Sequence, residues 1–62
     1  MKVLVGVIAR NERDEIGIVI RHSQLTGLYT GITLDGLYWE SMLPHYVAHS
    51  VNEYWNLYQD QK

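Results

Sequence analysis

The side chains in this sequence that come closest to forming a chemical site are its three histidines. His45 and His49 are four residues apart, a spacing that would place both imidazoles on one face of a helix, as in many zinc sites. Pro44 and a helix-capping sequence that begins at Ser50 argue against a helix here, and no third ligand is evident. His22 has no partner nearby in the sequence. We therefore expect ordinary surface or half-buried histidines and no metal.

Covalent or acid–base catalysis is not indicated either. A serine nucleophile needs a base and an orienting acid, whereas Ser50 is already expected to cap a helix. The carboxylates Glu12, Asp14 and Glu15 lie in a polar turn that offers them no buried site. The glycines are scattered singly along strands, so they form no phosphate-binding loop. We expect a protein that is not an enzyme and that uses no cofactor.

The composition describes a small, nearly neutral domain. The chain has 62 residues, a formal net charge of −2, five basic side chains and no cysteine. This length predicts a single domain with a small stability margin, and the missing thiols fit a reducing compartment. The apolar run VLVGVIA ends at Arg10, is too short to span a bilayer and lacks a cleavage site. We therefore expect a soluble, cytoplasmic protein.

Short strands are predicted over most of the chain. The first, KVLVGVIAR, contains Gly6, which we expect to mark a bend. The second, IGIVIRHS, places Ile16, Ile18 and Ile20 on one face. This isoleucine face is expected to point to the core. A short fifth strand is predicted at residues 46–48.

A hairpin is predicted where the alternating runs LYTGITL and LYWES flank the Asp-Gly pair at 35–36. Such a pair is typical of a two-residue type I′ turn, in which both residues have positive φ. That turn would pair Leu34 with Leu37 and Ile32 with Trp39. All four side chains would then share the core face.

The C-terminal segment predicts an amphipathic helix. Ser50 and Glu53 match a capping box, in which the serine caps the first turn and the glutamate reaches back. The helix should run to about Gln59 and dock on the sheet, since about ten residues do not form a stable helix alone. Its apolar face would consist of Val51, Tyr54, Trp55 and Tyr58.

The order of these elements resembles the Src-homology-3-like small barrels. The segment VGVIARNERDEIGIVIR, residues 5–21, is similar to the KOW motif of ribosomal and transcription-elongation proteins, with Gly6 and Gly17-Ile18-Val19 as the matching elements. The hairpin and Pro44 also look like Tudor-type barrels, and the overall build resembles small phage-encoded accessory proteins. The resemblance implies a mainly β domain over residues 1–62, with five barrel strands in residues 1–49 and a short α-helix at 50–60.

The aromatic residues carry the functional prediction. Seven rings are Tyr or Trp and none is Phe, and Tyr and Trp are favoured where a ring is half buried or lies at an interface. One interpretation places Trp39 and Trp55 in the core, with Tyr54 and Tyr58 docking the helix. The other makes some of the rings a protein-binding surface, formed by Tyr29, Tyr38, Glu40, Tyr54 and Tyr58. In that case Tyr29 and Tyr38 would lie side by side across the hairpin.

Three classes of function remain open from the sequence. The favoured one is a protein-binding module that acts as an adaptor or inhibitor of a larger protein machine. The KOW similarity implies a second, nucleic-acid binding through Arg10, Arg13 and Arg21 with a stacking tyrosine, although the net charge disfavours it. The third is self-association into a dimer or ring, through an open edge strand and the aromatic helix face.

Overall fold

A computed structural model describes residues 4–60 as one antiparallel sheet followed by a helix. The elements are β1 Ile8–Arg10, β2 Ile16–His22, β3 Tyr29–Thr33, β4 Tyr38–Ser41, β5 His45–Ala48 and α1 Val51–Asp60. The prediction of five strands and a C-terminal helix is confirmed. The first strand is shorter than predicted, because it begins only after Gly6, whose φ of 85° bends the chain; residues 2 and 3 of that prediction lie outside the described part.

The strand order is β4-β3-β2-β1-β5, so the last strand returns to pair with the first. The edge strands β4 and β5 are not paired with each other, and the sheet is not closed into a barrel. It must nevertheless curve. A flat sheet would hold its two edge strands about 19 Å apart, whereas the four-residue step from Ser41 to His45 spans at most about 14 Å.

Trp39 fills the core by lying against two glycines. The indole is 3% exposed and packs with Ala9 and Val19. A Cβ placed on Gly31, which lies directly across from Trp39, would be 2.2 Å from indole atom Cζ2. One on Gly17 would meet the Ile32 carbonyl first and would be 2.9 Å from the indole Nε1. The missing side chain of Gly31 therefore makes the space that the ring occupies, and that of Gly17 lets both the β3 backbone and the ring come close.

The predicted hairpin register is wrong by one residue. The loop has three residues, because Thr33 and Leu37 are already bonded through Thr33 N–H and the Leu37 carbonyl at 2.8 Å. Gly36 has a φ of 93°, whereas Asp35 is not in the positive region, as in a type I turn followed by a bulge. Trp39 consequently pairs with Gly31 rather than with Ile32.

The shifted register exchanges the two faces of β3 relative to β4. Leu34 and Leu37, predicted to be in the core, are exposed in the loop region. Tyr38 lies opposite Ile32, and Tyr29 lies opposite Ser41. Because side chains alternate along a strand, the two tyrosines are on opposite faces of the sheet, and the predicted Tyr29–Tyr38 pair does not form.

The predicted isoleucine face of β2 is also wrong. Gly17 and Val19 are the buried residues of this strand, while Ile16 and Ile18 are half-buried. Ile20 is exposed because the register between β2 and β3 shifts between Val19 and Arg21, which leaves Ile20 as an extra residue at a bulge.

Two loops hold the curved sheet together. In the β1–β2 turn the buried Asn11 accepts hydrogen bonds at Oδ1 from the backbone N–H of Arg13, at 3.0 Å, and of Glu15, at 2.9 Å. Farther along the chain, the buried Ser41 hydroxyl donates to the Glu12 carboxylate. The same Ser41 oxygen accepts the Leu43 N–H at 3.2 Å. The end of β4 is thus fastened to the turn between β1 and β2.

The predicted Ser50 cap of α1 is confirmed, and Glu53 reaches back one residue farther than in a standard capping box. Ser50 Oγ accepts the backbone N–H of Glu53 at 3.1 Å, and the Glu53 carboxylate accepts the N–H of His49. The expected docking is slight, since α1 contacts β5 and keeps most of its side chains exposed. Trp55 is 53% exposed, so its predicted place in the core is wrong.

Candidate binding surfaces

Three open grooves divide the predicted site residues among them. The first, here called the β4 groove, has a volume of about 840 Å³ and runs along the outer face of the sheet beside β4. Tyr38 and Glu40 come from β4, and Arg21 comes from β2, where the bulge turns it outward with Ile20. Arg13 reaches the same groove from the β1–β2 turn.

The β4 groove combines charge with exposed apolar surface. Tyr38 is 69% exposed. Arg13 forms an ion pair with Glu15 at 3.2 Å in which both side chains are substantially exposed, so this pair contributes at most about 1 kcal/mol. Neither Arg21 nor Glu40 has an ion-pair partner among residues 4–60. The groove can therefore offer two guanidinium groups and one carboxylate to a ligand.

The second groove, of about 350 Å³, lies between α1 and the sheet. It contains two of the predicted site residues, Tyr54 and Tyr58, together with Leu57 and Tyr46. The ring of Tyr58 stacks on that of Trp55, with centroids 5.5 Å apart. This helix groove is the place where the helix face meets β5.

Glu53 joins the helix to β5 through Tyr46. Partial desolvation raises the pKa of the Tyr46 phenol, and the negative charge of Glu53, to which the phenol is hydrogen-bonded, raises that pKa further. The Tyr46 ring also meets His49 edge to face, with centroids 5.2 Å apart. The Glu53 carboxylate therefore serves both as part of the helix cap and as the acceptor that ties Tyr46 to the helix.

The third groove, of about 320 Å³, is the most apolar. Tyr29 lies in it and contacts the His22 ring at 4.3 Å between centroids. Met42 and Leu43, both exposed, form its rim in the link between β4 and β5. Tyr29 is only partly exposed and packs against the core.

The structure thus brings the predicted residues together in pairs and not as one surface. Tyr38 and Glu40 share the β4 groove, whereas Tyr54 and Tyr58 share the helix groove and Tyr29 is in the apolar groove. The predicted arginine cluster is also divided. Arg13 and Arg21 line the β4 groove, while Arg10 lines the helix groove and pairs with Asp14 at 3.7 Å.

Sequence reasoning missed Ile20, Met42, Leu43 and Leu57 as groove residues. Ile20 carries no signal of its exposure, since it follows the alternation of a core strand until the bulge interrupts it. Met42 and Leu43 precede Pro44 in a three-residue link between strands. Apolar residues in so short a link have little room to turn inward, and this feature could have identified them.

The histidines and the helix give no further chemical site. His45 lies on β5 and His49 just after it, and no group of three His, Asp or Glu side chains between Leu4 and Asp60 is placed to hold a metal ion. Within the same range no helix has the length and apolar character needed to cross a bilayer.

Comparison with known proteins does not identify what these surfaces bind. No family model matches the chain, and no curated protein and no solved structure is significantly similar to it.

Proposed function

We propose that this chain is a non-enzymatic protein-binding module, an adaptor or inhibitor of a larger protein machine that it binds through Tyr/Trp-rich surface. One observation carries the proposal: in the described part, more large hydrophobic side chains are exposed than are buried. Several of these side chains lie together, Ile20 with Tyr38 in the β4 groove and Met42 with Leu43 in the apolar groove, and monomeric proteins expose contiguous apolar patches mainly where they bind something. The accessible surface of 4809 Å² also exceeds the roughly 4,100 Å² that a compact monomer of this mass would have.

The finer fold assignment belongs to the same proposal. We infer that the curved sheet is a Src-homology-3-like small barrel whose final strand returns to the first. The antiparallel order β4-β3-β2-β1-β5 and the short link between Ser41 and His45 support it. In such a small sheet one face and one ring form the core, which leaves the other face and the helix for a partner.

To test this, the tagged chain is used to capture partners from lysate, with and without nuclease treatment. Two matched variants are compared with it. Tyr38→Ser removes a ring that is 69% exposed in the β4 groove, and Leu25→Ser removes a side chain that is 100% exposed and lines none of the three grooves. We expect a discrete protein that survives nuclease, binds the Leu25→Ser variant normally and binds Tyr38→Ser at least about tenfold more weakly. Equal loss in both variants, or recovery of no protein, would refute the proposal.

A second candidate function is nucleic-acid binding, favoured by the placement of Arg13, Arg21 and the exposed Tyr38 ring in one groove. Two phosphate contacts would give a salt dependence of log K with slope of about −1.4 on a single strand. If the captured material is lost on nuclease treatment, and nucleic acid binds the chain with this salt dependence, nucleic-acid binding becomes the favoured function. If light scattering shows that the purified chain forms a dimer or ring, self-association, the third class of function, is supported.

A further inference from the structure

A row of three side chains on the outer face of the sheet carries opposite charges at its two ends. Arg21 on β2 lies beside Thr30 on β3, and Thr30 lies beside Glu40 on β4. All three point outward, because the neighbouring residues Gly31 and Trp39 are buried on the core face. Arg21 and Glu40 are two strand spacings apart, or about 10 Å, and they do not form an ion pair with each other.

The neighbouring row on the same face is apolar. It consists of Ile18 on β2, Ile32 on β3 and Tyr38 on β4, which lie beside one another in register. Ile20, at the bulge of β2, stands between this row and the charged one. Tyr38 is 69% exposed and Ile20 is 46% exposed. The face therefore offers apolar surface next to a matched pair of charges.

The shape of this face suits contact with a second face of the same kind. The sheet curves around its core, so its outer face is convex, and two such faces would come closest along β3. There the β4 groove has the short side chain of Thr30, whereas the longer side chains of Arg21, Tyr38 and Glu40 stand on either side of it. These long side chains can reach across the gap that the curvature opens on both sides of β3.

A two-fold axis along β3 makes the face complementary to itself. Rotation about this axis exchanges the β2 side with the β4 side and sets each row opposite the same row of the second copy. Arg21 of each copy then faces Glu40 of the other, so no like charges of this row are opposed. In the apolar row, Tyr38 of each copy faces Ile18 of the other. An unrelated partner would have to supply both charges at the same spacing, whereas a second copy already has them.

We propose that two copies of this chain associate through their outer faces about this axis, with two reciprocal Arg21–Glu40 ion pairs. Each chain exposes about 700 Å² more than a compact monomer of its mass. Removing this surplus from both copies would bury about 1,400 Å², within the range of specific interfaces. The inference goes beyond the proposed function, since it concerns the chain without its partner. A partner that binds Tyr38 would compete with the second copy.

The test measures dimerisation of the purified chain by sedimentation equilibrium at low salt. Arg21→Glu opposes carboxylates at both ends of the charged row, and Glu40→Arg opposes guanidinium groups there. We expect each substitution to weaken dimerisation at least about tenfold. Arg10→Glu is the matched control, because it makes the same change of charge at an exposed residue that lines the helix groove. It should change dimerisation less than about threefold.

Exchange of the two charges makes the test specific for this pairing. The double variant Arg21→Glu/Glu40→Arg should dimerise within about threefold of the wild-type chain. The two single variants, mixed in equal amounts, should bind each other more tightly than either binds itself. Both positions are exposed, and circular dichroism verifies that each variant is folded. A wild-type chain that stays monomeric up to about 1 mM, a dimer indifferent to both charge reversals, or equal weakening by Arg10→Glu would overturn the inference.

Failure of the dimer can be separated from failure of the proposed function. A captured protein that depends on Tyr38, found together with a monomeric purified chain, would refute the dimer and leave the binding module standing. A dimer that is restored by charge exchange, found together with recovery of no protein, would refute the module and leave self-association as the function.

Discussion

Replacement of Gly31 by alanine should remove most of the stability of this domain. Gly31 has no positive φ, so the new methyl group acts by its volume alone. It would meet the indole of Trp39 at 2.2 Å, where ordinary contact begins at 3.4 Å, so the ring must move by about 1.2 Å (3.4 − 2.2). The ring is 3% exposed and packed against Ala9 and Val19, which leaves it no free direction.

The size of the effect follows from what the ring would lose. Overpacking a core costs about 1–3 kcal/mol, and complete loss of a buried Trp costs about 3–5 kcal/mol. We therefore expect Gly31→Ala to cost about 2–4 kcal/mol, against a total stability of about 3–5 kcal/mol for a core of this size. Urea unfolding followed by far-ultraviolet circular dichroism at low temperature measures this change. Gly36→Ala is the control, because a methyl group there meets nothing within 4 Å and costs only the strain of its φ of 93°.

A double-mutant cycle tests the physical cause. In a Trp39→Leu background the methyl group of Gly31→Ala no longer meets an indole, so its cost should fall to zero or change sign, since alanine is about 0.5–1 kcal/mol better than glycine within a strand. If Gly31→Ala lowered the free energy of unfolding equally in both backgrounds, or did not lower it in the wild-type chain, the packing of Trp39 against Gly31 would be refuted.

Three further predictions concern the contacts that fasten the sheet and the helix. Glu53→Gln should lower the pKa of Tyr46 towards its ordinary value of 10.0, because the charge and the acceptor that help to raise it are removed; assigned NMR titration measures this. The pKa of Tyr46 is raised in the folded state, so the contribution of this residue to stability is complete below about pH 10 and is lost as the pH rises through the folded pKa. The stability of the wild-type chain should therefore fall more steeply in that range than the stability of the variant. Ser41→Ala should cost about 1–2 kcal/mol in chemical unfolding, and Glu12→Gln less, because Ser41 is buried and Glu12 is exposed. Ser50→Ala should cost about 1 kcal/mol and lower the helical circular-dichroism signal, and an unchanged signal would contradict the observed cap.

The elements that the sequence predicted best are those with local causes. The cap of α1 depends on Ser50 and Glu53, which are three residues apart; the serine bond forms as expected, and Glu53 reaches back to the N–H of His49, one residue before the cap. The bend at Gly6 likewise needs only the conformational freedom of one residue. The alternation in the strands was read correctly as β structure, but alternation alone does not say which of two apolar faces points inward.

Which face of a strand is buried depends on how it fits residues of other strands, and the sequence of a single strand does not contain that information. On β2, Ile16 and Ile18 are larger and more apolar than Gly17, so burial of the isoleucine face was the natural expectation. Gly17 is buried instead because the backbone of Ile32 on β3 and, behind it, the Trp39 ring come so close that a side chain at this position would meet both. The predicted Tyr29–Tyr38 pair does not form for a similar reason, since the two residues change relative faces when the hairpin register shifts by one residue.

The length of the hairpin loop therefore determines both the core and the available surface. A two-residue loop would pair Trp39 with Ile32, so aliphatic side chains of β3 would lie beside the ring in the core. The three-residue loop, held by the φ of 93° at Gly36, sets Trp39 over Gly31 instead. The ring then fills the interior, Tyr29 moves to the core face of β3, and Tyr38 stays on the outer face beside the unpaired edge of β4. A single residue added to a turn thus sets Trp39 over a glycine and separates the two hairpin tyrosines onto opposite faces of the sheet.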